Sequence, residues 1–527
     1  MFTLTTFLAY TVFVAVYAWF RLRKEKLTSE EGYFLGGRSL TGIVIAGSML
    51  LTNISTEHLI GMNGSSYKNG FIVIGWEVTS ALALIAAAVY FIPKYLKMGL
   101  TTIPQYLENR FDGVLRSYVA FFLMISFVVT LLPIVLYTGA INLESIFTIS
   151  EVLNVSNDTA LLITVVVVGM IGSLYAILGG LKAVAVSDTI NGYGLLIGGL
   201  AVPFLALLSI GDGNPMVGLT KVFNHAPQKF NVIGAKDSVL PFEVLFTGLI
   251  VNQLYFWCMN QTIIQRALGA KNLKEAQKGL LFTGLLKLLI PLVIILPGVI
   301  GFYYFGESLY ENQDMVYPEI IKKVLPASFV GIFAAVVMGA VLSTFNSVLN
   351  SSATIFSLDL YKRHFNPKAS DKNLVFVGKL TSCVLAIFAI AVAPFVAKAP
   401  DGLYQLLQQL NGIFFIPIAS IMLVGFFTTK ISAFAAKVAL FVGLSFYLLA
   451  SFVFDTGIHF VHIWGIEFVL NLIVMYLISY FYPDKKEFRI NDLKLVKMEE
   501  WKYTKSFSIV LCLVTLIIYI TLGSLTA

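Results

Sequence analysis

Charge is scarce in this chain of 527 residues: Asp, Glu, Lys and Arg make up only 12% of it, where soluble domains carry roughly 25%. A soluble chain of this length would split into several domains, each needing a hydrated polar surface. Too few polar residues are present for that, which excludes an ordinary cytosolic enzyme. Cysteine is scarce too. Cys258, Cys383 and Cys512 lie in or beside long apolar stretches, so neither an exported disulfide framework nor redox chemistry is expected. No HExxH, GxSxG or P-loop pattern occurs, and the five histidines are scattered. No TVGYG-like filter or subunit-scale repeat marks a channel. GYGLLIGG, with Gly194 and Gly198 four apart, reads as helix packing and not as a phosphate loop. What is abundant is apolar surface: 58% of residues, including 43 Phe and 24 Tyr, with a mean hydropathy of +0.85. That composition describes an all-α, polytopic membrane protein.

Fourteen apolar runs are long enough to cross a bilayer, at 2–21, 41–62, 71–93, 117–140, 159–178, 189–210, 240–257, 279–304, 326–355, 373–397, 402–426, 433–454, 460–482 and 506–525. The first, MFTLTTFLAYTVFVAVYAWF, carries its basic cluster after the apolar stretch, the reverse of a secretory signal, and reads as a retained span. With the N-terminus outside, 28 of the 36 basic residues fall in cytoplasmic segments and seven on the opposite face. That asymmetry predicts fourteen spans with both ends outside, and the expected location of such a multi-pass chain is the plasma (inner) membrane. The net charge of +7 is then an orientation signal with contact to anionic lipid, and no nucleic-acid partner is expected.

One basic residue, Lys287, belongs to neither side. Ionisable groups inside the hydrocarbon cost ~2.5–3.5 kcal/mol each on insertion scales, which makes each a site candidate. Five stand out: Glu57 and His58 in the second span, Glu77 in the third, Asp188 at the start of the sixth and Lys287 in the eighth. Asp188 is equally placed to cap a helix start. Glu57 is equally placed to form a structural ion pair with Arg266. Glu77, beside Trp76, has no partner near it in sequence and points to function; Lys287 does too, with snorkelling as its alternative.

The second span is interrupted by Thr52, Asn53, Ser55, Thr56, Glu57 and His58, and the seventh by Asn252, Gln253, Tyr255, Asn260 and Gln261. These spans open two consecutive groups of five, where an inverted repeat places two broken helices that expose backbone carbonyls to a cation and solute. The ninth span is rich in hydroxyls, with Ser343, Thr344, Ser347, Ser351, Ser352 and Thr354. Packing is one reading of them. In the other, Ser343 and Thr344 facing a broken helix complete an all-oxygen shell for sodium. The eleventh span adds Tyr404, Gln405, Gln408, Gln409 and Asn411, groups that hydrogen-bond a polyol. A carrier is the reading left. Its loops are too short for nucleotide domains, so its energy comes from an ion gradient or from that of the solute.

The runs GYFLGGRSL, TNISTEHLIGMNG, GWEVTS, TTIPQYLENRF, YAILGGLKAVAVSD, NQTIIQRALGAKN, EAQKGLLF, LKLLIPLVIILPG and SVLNSSATIFSLDLY together resemble the sodium/solute symporter family, in its sodium/sugar branch. The likeness to bacterial galactose-transporting members and to a group of enterobacterial paralogues runs from about residue 30 to 430. It implies a LeuT-type core of 5+5 helices over 41–426, preceded by an extra helix and cytoplasmic loop at 1–40 and followed by extra helices at 427–527. It implies sodium held by the carbonyls of Leu51, Ile54 and Ala340 and the hydroxyls of Ser343 and Thr344, with Asp188 on the ion's exit path. Sugar contacts carried over by position are Glu77, Ser80, Lys287 and Gln408. Three positions depart: His58 stands where the galactose transporters have Gln, Gln253 replaces an Asn, and Phe256 replaces a Tyr that gates the inner side.

The expected mechanism is sodium-coupled import of a sugar or sugar-like solute by alternating access, with no enzymatic step. Sodium pins the broken second span against the ninth, His58, Glu77, Lys287 and Gln408 gather round the sugar, and Met62, Trp76 and Tyr404 close over it. A uniporter or symporter for another small polar solute is the neighbouring alternative; a channel or membrane sensor is the distant one.

Overall fold

The computed structural model describes residues 2–22, 28–398, 403–484, 488 and 490–524. Arg23, Lys24, Lys26, Lys485, Lys486 and Arg489, six of the residues behind the expected topology, lie outside them. Among the described residues the chain is all helical, with two isolated β-bridges and no strand. Among the described residues eleven helices are long and apolar enough to cross a membrane, and the apolar helices Thr3–Ala18 and Gly42–Asn53 are shorter. Among the described residues each of the fourteen apolar runs overlaps helix, but the expected count of fourteen spans exceeds the eleven long helices. The run at 240–257 in particular becomes the short helix Gly248–Cys258, followed by a second short helix, Gln261–Leu268.

Both expected interruptions are breaks in the backbone. Helix Gly42–Asn53 ends at Ile54 (φ −92°, ψ 93°), whose N–H closes the ladder on Leu50 O, and the chain resumes through Thr56 into the wide-turn segment Glu57–Met62 and helix Asn63–Asn69. Polar side chains at 52–58 compete with the backbone for hydrogen bonds, which favours the end of a helix over its middle. The second break falls at Met259 (φ −134°), and the Asn260 side chain caps the next helix by accepting from Thr262 N.

The sixth span starts earlier than expected. A continuous helical stretch, Asn157–Ile210, is kinked at Gly180 (φ 58°), where a Cβ would lie 2.7 Å from the carbonyl of Tyr33. The second member therefore begins near Gly179 and not at 189. This overturns the capping reading of Asp188, which sits two turns inside a helix and caps nothing.

Helix Gly42–Asn53 packs on both Asn157–Ile210 and Leu273–Ile290 and also touches Ala327–Ile355, so the first broken helix is sandwiched between two longer ones. The hydroxyl-rich helix Ala327–Ile355 is lined with buried Ser343, Thr344, Ser347, Ser351, Ser352 and Thr354. Its lower half is used for packing: Ser351 donates to Gln265 Oε1 (2.8 Å), and Gln265 Nε2 donates to Asn350 Oδ1 (3.1 Å) and Thr354 Oγ1 (3.0 Å). The three cysteines are free.

Candidate functional site

A small cavity lies where the two helix breaks face each other. Its wall takes Asn53, Glu57 and His58 from the first break, Asn252, Gln253, Phe256 and Asn260 from the second, Trp76 and Glu77 from the third run, Lys287 from the eighth, Thr344 from the ninth, and Tyr404, Gln408 and Asn411 from the eleventh. These residues lie hundreds of positions apart in the chain.

At its centre Lys287 and Glu77, each 1% exposed, form a hydrogen-bonded ion pair. Lys287 Nζ also donates to Asn53 Oδ1 at 2.6 Å and stands 5.5 Å from the centre of the Trp257 ring. A buried pair offsets its desolvation only when further hydrogen bonds satisfy both ions, and Asn53 supplies one. His58 lies between two carboxylates, with Nδ1 3.6 Å from Glu57 Oε1 and Nε2 3.7 Å from Glu77 Oε1. Glu57 Oε2 and Asn252 Oδ1 are buried acceptors with no donor among the described residues.

Gln253 is committed to the protein. It donates to Trp76 O (2.8 Å) and Thr79 Oγ1 (3.1 Å) and accepts from Trp257 Nε1 (3.0 Å), so it braces the Trp76 backbone beside the cavity. Gln408 Nε2 donates to Tyr404 OH (2.8 Å). One wall is aromatic: the Tyr404 ring stands edge-on to His58 (5.3 Å) and Trp76 (6.0 Å), and Trp76 in turn meets Trp464 (6.1 Å) and Phe460 (6.5 Å).

Two positions expected at the solute do not reach the cavity. Ser80 turns its hydroxyl back onto the Glu77 carbonyl, and Met62 is fully buried in the apolar core. The Glu57–Arg266 pair is not formed either. Arg266 lies 3.8 Å from Asp188 and donates to Ser48 Oγ (3.1 Å), Thr262 O and Ser347 Oγ, while Ser48 donates to Asp188 Oδ2 (2.8 Å). Residue 266 follows the second break and swings beneath the first broken helix, away from Glu57. That path depends on tertiary packing, which sequence proximity does not show.

At the first break Thr344 Oγ1 donates to Thr52 O (3.1 Å) and Thr52 Oγ1 meets Ser347 Oγ (3.1 Å), which ties the broken helix to the ninth span. Ser343 Oγ, buried one residue away, makes no hydrogen bond of ordinary geometry. Leu51, Ile54 and Ala340 are all fully buried in the same region. The donor set is uncharged oxygen, the chemistry that suits a hard monovalent cation. Asn53 was marked only as part of the polar interruption, and Trp257, Phe460 and Trp464 were not legible as neighbours of the site, because aromatics in apolar runs are common and only the fold aims them.

The model of the sodium:solute symporter family matches residues 33–443. Over 504 residues the chain is 44% identical to the uncharacterised symporter YidK of Escherichia coli (strain K12), covering 96% of this chain and 88% of that protein. It is 33% identical to a sodium/glucose cotransporter of Vibrio parahaemolyticus, covering 82% and 81%, and 29% identical to the human sodium/myo-inositol cotransporter, covering 79% and 62%. A solved sodium-coupled sialic acid symporter, substrate-bound and outward-open, superposes with a TM-score of 0.79 at 20% identity over 92% of this chain and 99% of that one. A fold shared at that level, and with MhsT at a TM-score of 0.51, is the LeuT-type arrangement. The chain is a multi-pass membrane carrier and not an enzyme, it takes sodium as its co-transported ion, and it belongs to the sodium:solute symporter family.

Proposed function

We propose that this sodium-coupled symporter imports a neutral sugar or a related polyol. The observation that carries the reading is the cavity wall itself: an ion pair, an imidazole and amides gathered at two helix breaks under an aromatic cover. Glu57 Oε2 and Asn252 Oδ1 offer unused acceptors to hydroxyl donors, and the names of two relatives refer to glucose and myo-inositol, both neutral polyols. Glu77, Lys287, His58 and Gln408 are the solute contacts in this reading, while Gln253 positions Trp76. Tyr404 and Trp76 form the outer cover and Phe256 the inner one.

Sodium binds at the break, on the carbonyls of Leu51, Ile54 and Ala340 with Ser343 and Thr344. The Thr344 hydroxyl that now donates to Thr52 O turns its lone pairs to the ion. Sodium thereby holds the first broken helix to the ninth span and sets Asn53, which in turn orients Lys287. The gain in solute affinity equals the coupling free energy, about 1–3 kcal/mol, and the solute raises sodium affinity by the same factor. Asp188 then lies on the ion's route out. Residues 41–426 form the transport core in this reading, 1–40 and 427–527 flank it, and both termini face away from the cytoplasm at the inner membrane.

Proteoliposomes given labelled glucose, galactose, myo-inositol and N-acetylneuraminate, with sodium, lithium or protons as the only gradient, test it. Saturable uptake of a neutral polyol that needs sodium is expected. Uptake of the acidic sugar alone, or of none, overturns the substrate assignment, and uptake without an ion gradient makes the chain a uniporter.

A further inference from the structure

Outside the solute cavity, one ionisable side chain lies deep in the helical bundle with nothing among the described residues to neutralise it. Glu467 is in the middle of helix Phe460–Phe481 and is 0% exposed. Both of its carboxylate oxygens are without a hydrogen-bond partner among the described residues, and so is Oδ1 of Asn471, one turn further along the same face. The facing residue on helix Ala433–Leu448 is Gly443, and a Cβ there would lie 2.8 Å from Asn471 Oδ1 and 3.0 Å from Glu467 Oε1. Glycine is what lets the carboxyl and the amide nest between the two helices.

Asn471 has a defined orientation. Its Nδ2 donates to Ser420 Oγ (3.4 Å) on helix Leu403–Phe427, and Ser420 Oγ is itself spent on Ile416 O (2.8 Å). Oδ1 is therefore the end left toward the carboxyl.

No cation answers Glu467 from the helices packed against it. On Ala433–Leu448, Lys437 is bonded to Asp112, and Tyr447 donates to Gln409 O. On Leu403–Phe427, Tyr404 belongs to the cavity wall. On Gly248–Cys258 the titratable groups are Tyr255, stacked on Phe415, and Cys258, which donates to Ala83 O. On its own helix His462 contacts Thr247. A bare carboxylate in such surroundings is prohibitive. The unused oxygens present, two of Glu467 and Oδ1 of Asn471, are fewer than the five proposed for sodium at the first break, too few for a dehydrated alkali ion. A proton needs only one: the neutral acid becomes a donor, and Asn471 Oδ1 is the unused acceptor beside it.

We propose that Glu467 is a proton-binding site, separate from the solute cavity, whose occupancy locks helices Leu403–Phe427, Ala433–Leu448 and Phe460–Phe481 together. The step is simple protonation: a proton from water joins one carboxylate oxygen, and the O–H so formed donates to Asn471 Oδ1. The same helix carries Phe460 and Trp464, which back the Trp76 ring, so filling or emptying the site is transmitted to the aromatic cover.

Infrared spectroscopy of the full-length protein reconstituted in lipid tests the site without any solute. The expected result is a carbonyl band of a protonated carboxylic acid at neutral pH that shifts in deuterium oxide and is lost in Glu467→Gln. Thermal unfolding is the second readout. A proton held only in the packed state makes the wild type lose melting temperature as pH rises from about 6 to about 9, with a shallower slope in Glu467→Gln. If Glu467→Gln does not fold, Glu467→Asp moves the band to a new frequency. An unchanged acid band in whichever variant folds, or an equal pH slope in wild type and Glu467→Gln, overturns the proposal. Neither outcome depends on which solute is carried, so the substrate assignment stands or falls separately.

Discussion

At the scale of single residues, the Lys287–Glu77 pair decides the character of the cavity. Removing one partner leaves the other charge buried, a change that costs about 3–5 kcal/mol. Lys287→Ala and Glu77→Ala are each expected to lower the melting temperature and abolish uptake, whereas the double substitution regains stability without regaining uptake. Melting curves read beside transport separate the two effects, and additive losses in the double variant contradict the pairing. Ser343→Ala removes a hydroxyl that makes no hydrogen bond of ordinary geometry among the described residues, so stability should change little. The sodium concentration for half-maximal uptake should instead rise, by about tenfold for each 1.4 kcal/mol of lost coordination. An unchanged sodium dependence removes Ser343 from the ion site. Lys287 was marked in the sequence by its cost inside the membrane. By the same measure Glu467, in the run 460–482, belongs beside it, yet it is absent from the five positions singled out. Its isolation is visible only when the surrounding helices are assembled.

At the scale of elements, the two broken helices are the working parts, and each break has its own anchor. Asn260 caps the helix after the second break, through 2.9 Å to Thr262 N and 2.8 Å to Thr262 Oγ1. Asn260→Ala should cost about 1 kcal/mol, and Asn260→Asp should rescue it, as read by denaturation. The reversal after Asn63–Asn69 depends on Gly70, at φ 76° and ψ −153°, where a Cβ would come 2.3 Å from Lys229 O. Gly70→Ala is therefore expected to destabilise by about 1–3 kcal/mol, and full stability in that variant would show that the Lys229 loop gives way. Polar clusters at 52–58 and 252–261 made both breaks legible beforehand. The kink at Gly180 falls in the gap expected between the runs 159–178 and 189–210, beside Gly179, but the immediate return to helix after it was not legible, since it is set by the close approach of Tyr33.

At the scale of the whole molecule, charged side chains tie remote segments together at the end of the bundle where the basic loops gather. Glu108 accepts from Arg116 and Arg363, Asp359 pairs with Arg116, and Lys437 donates to Asp112 at 2.7 Å. Burial pushes the Glu108 carboxyl up, but the hydrogen bonds and charges of Arg116 and Arg363 outweigh it and hold the group below the usual carboxylate range. A carboxyl depressed in the folded state stabilises at pH above its unfolded value, and that contribution is lost as pH falls through the folded one. The melting temperature should accordingly drop in acid and do so less steeply in Glu108→Gln; parallel curves would mean that other carboxyls govern the acid limb.

By itself the sequence determined the class of molecule. Scarce charge forces the chain into lipid, apolar runs set the helices, and polar residues inside two of them mark where helices break, because each of these is a local balance of hydration and backbone hydrogen bonding. Tertiary structure alone decided the partners. It paired Lys287 with Glu77 across 210 positions, gave Arg266 to Asp188 and not to Glu57, turned Ser80 and Met62 away from the cavity, and left Glu467 without a counter-charge. The energy of a buried ion depends on what stands within a few ångströms of it, and that is a property of how the helices pack and not of their order in the chain.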